Sequence, residues 1–115
     1  MEMRLVAESM PLSEVTAMAN DQFGDMIKAV VDVERGCLAL GGELHSDEEA
    51  LLLEDGSKQA NLWGINVYPG KPEPERVEFD SMINIRPSQN NRSRGVENEA
   101  TRQLILRIVA KMILA

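Results

Sequence analysis

Apolar and polar positions alternate in three parts of the chain and recur at helical spacing in two others. Met26 to Glu34 puts Ile27, Ala29, Val31 and Val33 on one side, and Lys28, Asp32 and Glu34 on the other with Met26 and Val30. This period of two predicts a strand. Arg35-Gly36 supplies a tight turn and Cys37 to Leu44 a returning strand, which together make a β-hairpin. Gly41-Gly42 in the second arm suggests a bulge or a close backbone approach. Leu62 to Tyr68 alternates again, with Trp63, Ile65 and Val67 opposite Asn66 and Tyr68. Val77 to Arg86 predicts a last strand, with Val77, Phe79, Ser81, Ile83 and Ile85 facing one side. Met3 to Ala7 reads as a short edge strand.

Helical spacing appears at Leu12, Val15, Ala19 and Phe23, after Pro11 and before Gly24, so a helix is expected over 11–22. Ser46 to Glu49 has the form of a capping box and opens a short helix ending near Asp55, with Gly56 just beyond. Leu104, Ile105, Ile108, Val109, Met112 and Ile113 give the strongest stripe, on a helix from Glu97 to Leu114. Pro69 to Pro74 carries three prolines in six residues and predicts a stiff loop. The element order is α-β-β-α-β-β-α. It implies an α+β fold with an antiparallel sheet of about four strands and helices packed on one face. The covered face carries Ile27, Ala29, Val31, Val33, Trp63, Ile65, Val67, Phe79, Ile83 and Ile85.

Length changes this picture little: 115 residues fit a single domain, 1–115. Aromatic residues are 3 %, so the core is aliphatic and draws on several of the seven methionines. The net charge of −7 argues against nucleic acid and anionic membranes as partners of the whole surface. Cys37 is the single cysteine, which excludes an intrachain disulfide. The start, with Glu2 and Arg4, has no apolar signal-peptide core, and Leu104 to Ala115 is too short and too charged to span a bilayer. A cytoplasmic protein is expected, with no cofactor.

Candidate chemistry lies on the second sheet face, where strand parity places Lys28, Asp32, Asn66, Tyr68, Asp80, Asn84 and Arg86. The following loop holds Arg86, Arg92 and Arg94 and precedes a helix start, a setting that favours carboxylate or phosphate. The leading expectation is a binding or interaction module rather than an enzyme. Arg86, Arg92 and Arg94 hold an anionic or phosphate-bearing small molecule, and Asn66, Asp80 and Asn84 orient it. A rival reading is a metal-assisted hydrolase using Asp32, Glu43, His45 and Asp80. A third is a homodimer whose interface is the polar sheet face.

Three segments, GGELHSDEEALLLEDGS, LWGINVYP and FDSMINIRPSQNNRSRGVE, resemble a family of small uncharacterised bacterial and archaeal proteins, a domain of unknown function. The resemblance runs roughly from Phe23 onward. It implies a prokaryotic cytoplasmic protein and carries over no substrate, cofactor or catalytic residue.

Overall fold

The computed structural model describes residues 3–115. The reading of the chain's start rested partly on Glu2, which lies outside them. The expected α+β class is present. Five strands form one antiparallel sheet: β1 (Arg4–Val6), β3 (Ile27–Asp32), β4 (Cys37–Leu40), β5 (Leu62–Val67) and β6 (Val77–Glu78), in the order β1-β4-β3-β5-β6. A separate parallel pair joins β2 (Met10–Pro11) to β7 (Ile113–Leu114). The central hairpin is in the register that its alternation dictates, with Val30 opposite Ala39 on one side and Gly64 on the other.

The helices are α1 (Leu12–Gln22), α2 (His45–Glu54) and α3 (Glu99–Met112). Helices α1 and α3 cover the expected face. Val15, Ala19, Ile105, Ile108 and Val109 pack there on Ile27, Ala29, Val31, Ile65 and Val67. Complete burial of an aliphatic side chain such as Ile27 or Ile65 contributes about 1.5–3 kcal/mol, so this cluster dominates the fold energetically.

Helix α2 differs from expectation, because it packs on the opposite face. Leu52 and the half-buried Leu51 meet Val30, Cys37, Ala39 and Leu62 in a second apolar cluster. The sheet is therefore covered on both sides. The second face that the sequence left open for a ligand or a partner subunit is occupied along its middle by α2. Parity explains why: Val30, Ala39 and Leu62 all point that way and would otherwise meet water.

Two local expectations also change. Ser46 does not cap α2, which starts at His45 after Leu44 and has no side-chain cap. The reaching-back role expected of Glu49 belongs to Glu48, whose Oε2 accepts the Gly42 N–H at 2.9 Å. Gly42 makes the close approach foreseen for the glycine pair, since a Cβ there would stand 2.9 Å from Glu48 Cγ.

The last strand is much shorter than Val77–Arg86. Its ladder ends at Glu78, and a 3-10 turn occupies Met82–Asn84. Ser81 starts that turn by accepting the Ile83 N–H on its hydroxyl. Ile83 consequently packs on the α2 side, and Ile85 is left 39 % exposed. Neither joins the α1/α3 face as expected.

Candidate functional site

Where α2 begins, it leaves one end of the second sheet face uncovered, and a cleft of about 550 Å³ opens there. Lys28 from β3 and Asn66 from β5 form its floor and are directly opposed in the ladder. His45 and Ser46 enter from the first turn of α2. Asp80, Ser81 and Arg94 close the far side. Exposed Leu44 and Met82 add an apolar rim.

His45 is one of three buried polar groups in the cleft, with Asn66 and Ser81. It is 8 % exposed, and its Nε2 lies 2.7 Å from the Ile65 carbonyl oxygen. A carbonyl can only accept, so Nε2 carries the hydrogen. Burial lowers the His45 pKa, opposed by the Ile65 bond, lowered further by Lys28 and Arg94 and raised by Asp80. The ring is neutral at pH 7, and Nδ1 presents a lone pair. Nδ1 has no hydrogen-bond partner among the described residues and is not sealed from water.

The surrounding charges are unevenly paired. Arg94 Nε donates to Asp80 Oδ1 at 2.6 Å, in a pair whose two side chains are about half exposed. Glu78 Oε1 accepts from Asn66 Nδ2 at 2.9 Å and from the Tyr68 hydroxyl at 3.2 Å. The Lys28 ammonium stands 5.5 Å from the centre of the Phe23 ring, with no carboxylate in ion-pair contact among the described residues. Both neighbours of Asn66 Nδ2, Glu78 Oε1 and the Asp80 carbonyl, are acceptors. This fixes the amide's orientation and leaves the buried Oδ1 without a partner.

A family model described as a protein of unknown function (DUF5674) matches residues 4–112. The chain belongs to this family. No curated protein and no solved structure matches it. The matched span of DUF5674 includes every residue of the cleft.

The sequence-derived ligand residues separate into two groups. Asn66, Asp80 and Arg94 meet at the cleft. Asn84, Arg86 and Arg92 do not, and two of these hold the backbone instead. Asn84 is fully buried. Its Oδ1 accepts the Gly64 N–H at 2.8 Å, and its Nδ2 donates to the carbonyls of Gly64 and Arg94, each at 2.9 Å. A side-chain amide thus replaces the missing strand beside β5. Gly64 permits the approach, because a Cβ there would stand 2.5 Å from Ser81 Cβ.

Arg86 lies 4.1 Å over the Trp63 ring and donates to the carbonyls of Gln59 and Leu62. Arg86 does not line the cleft. Asn91 is the second buried scaffold amide, donating to the carbonyls of Asn84 and Gly95 at 2.8 Å and accepting the Glu97 N–H at 2.8 Å. Glu97 accepts the backbone N–H groups of Ser93 and Arg92, which hold its carboxyl below the ordinary range. Arg92 projects from this braced loop outside the cleft.

The residues of the metal reading are also divided. Asp32 sits at the hairpin turn, accepting from the backbone of Glu34 and Arg35 and from Ser57 Oγ. Four residues along β3 separate it from Lys28, about 13 Å at strand rise. His45 and Asp80 share the cleft, while Glu43 is exposed outside it. Among the described residues, no three His, Cys, Asp or Glu side chains cluster as metal ligands. No helix among them is long and apolar enough to cross a membrane.

Sequence reasoning placed Lys28 on the correct face but gave it no role. It placed Glu48 in the acidic first turn of α2 and missed that the side chain is buried. The spacing of His45, Glu48 and Leu52, three then four, marks one buried helical stripe and was the available signal.

Proposed function

We propose that this chain is a binding module for a small anionic ligand, and that it works in the cytoplasm. Lys28 and Arg94 hold the anion in the His45 cleft, with Asn66 and Asp80 as its wall. The observation that carries the reading is Lys28: an ammonium on the central strand, in a chain of net charge −7, with no carboxylate partner among the described residues. A cation left unpaired amid surplus acid is available to a carboxylate or phosphate. The Arg94–Asp80 pair is half exposed and worth at most about 1 kcal/mol, so Arg94 can turn to a ligand at small cost. A buried thiol at Cys37, its pKa raised by burial, suits a reducing compartment.

A thermal-shift series with phosphate, sulfate and short carboxylates, at ionic strength matched to chloride, tests this. Ligand at ten times Kd adds about 1.4 kcal/mol, a rise of about 5 °C for a domain of this size. Lys28→Met is expected to remove the rise. No rise with any of these anions would count against the reading.

A hydrolytic reading, with neutral His45 as base beside Asp80, rests on the same cleft. It is the weaker one, because Asp32 and Glu43 lie elsewhere. The homodimer reading loses its surface, since α2 covers the middle of the sheet face.

A further inference from the structure

We infer that the cleft is selective for anions that carry their own hydroxyl or amine, which donates a hydrogen bond to His45 Nδ1. The inference rests on the anion-binding reading and specifies its ligand. His45 is nine-tenths buried, its ring orientation is set by the Ile65 carbonyl, its Nδ1 has no hydrogen-bond partner among the described residues and is not sealed from water, and the residue lines the cleft. The charged groups around it are Lys28 on β3, and Asp80 and Arg94 beyond β6. Lys28 and Arg94 are also the cations that would hold the anion.

A bare anion in that place directs lone pairs at a lone pair and leaves Nδ1 unsatisfied. An anion with an adjacent O–H or N–H satisfies both sides at once. Hydroxy acids, amino acids and sugar phosphates share this chemistry. The apolar rim of Leu44 and Met82 accommodates a short carbon skeleton.

Matched pairs test the inference: lactate against propionate, and glycerol 1-phosphate against propyl phosphate, each titrated calorimetrically at pH 7.5. One hydrogen bond to a fixed acceptor is worth about tenfold in affinity. At pH 7.5 the hydroxylated member of the binding pair should be about tenfold tighter. Whichever pair binds identifies the anion as carboxylate or phosphate.

His45→Phe should abolish the preference. Should that variant not fold, the His45 Nδ1 nitrogen resonance of the native protein gives a second reading, moving with lactate or glycerol phosphate and staying still with the unhydroxylated partner. Equal affinities within each pair at pH 7.5 would overturn the inference and leave anion binding standing. Failure of all four anions to bind would overturn both.

Discussion

Asn84→Ala is expected to destabilise the protein by about 3–5 kcal/mol, more than any other single truncation outside the apolar clusters. Three hydrogen bonds end on this one buried amide, two of them to the main chain of Gly64. Strand β6 pairs only with Asn66 and Val67, so nothing else is placed to satisfy Gly64. Each backbone group left unpaired in the interior costs about 1–3 kcal/mol, which outweighs the lost packing of a small polar side chain. Asn84→Asp should be nearly as damaging at pH 7. Its second oxygen would face the carbonyls of Gly64 and Arg94, and protonation in mild acid should restore part of the loss. Urea unfolding measures both variants as a shift in midpoint at unchanged slope. Met82→Ala, at a side chain 64 % exposed, is the control and should stay within about 0.5 kcal/mol. A loss below 1 kcal/mol for Asn84→Ala would remove the side chain from its structural role.

Glu48→Gln is expected to have the second largest effect, and in the opposite direction. The carboxyl is fully buried, with one oxygen on the Gly42 N–H and the other unpartnered. Burial pushes its pKa up to about 9 from an ordinary 4.5, opposed by the Gly42 bond and by Lys28. The folded protein therefore retains a proton that the unfolded chain releases. The contribution of Glu48 to stability is greatest below pH 4.5 and falls as pH rises, at most about 1.4 kcal/mol per pH unit, until it levels off above pH 9. At pH 7 this cost is about 3 kcal/mol. Glutamine keeps the shape and the bond to Gly42 without ionising, but brings extra amide hydrogens into the interior. A gain of about 1–3 kcal/mol is expected at pH 8, shrinking toward zero near pH 5. Denaturation of both proteins across that range measures the difference. A difference that does not change with pH would mean that Glu48 titrates normally.

Much of the fold was legible, and the reason is period. The alternation in Ile27 to Val33 and the stripe from Leu104 to Met112 place their elements correctly, because each has one face that must be buried. Helix α2 was misplaced because its own pattern is weak. Leu51, Leu52 and Leu53 are consecutive and point around the helix, so they do not say which side of the sheet receives them. What settles the side is a property of the sheet: Val30, Ala39 and Leu62 leave an apolar strip on the second face that only another layer can cover.

The site was harder to read for a different reason. Asparagine and arginine make the same bonds to backbone as to ligands. Asn84 stands out in sequence because asparagine is disfavoured in a strand, and Arg86 because it opens a loop of three arginines; Asn91 is an ordinary loop residue. Their bonds to Gly64, Asn84, Gln59 and Leu62 show that holding an irregular backbone is what they do. Lys28 looked ordinary and is the cation of the cleft that has no carboxylate partner among the described residues. The decisive feature of His45 is its bond to a carbonyl of β5, which no side-chain pattern records.

The most direct test of the cleft is a phosphate titration followed by two-dimensional amide NMR. The account predicts that the amide signals of Lys28, His45, Asn66, Ser81 and Arg94 shift together along one saturable curve, with those of Gln89 to Arg92 unmoved. Shifts confined to Gln89–Arg92, or spread without saturation over the whole surface, would contradict it.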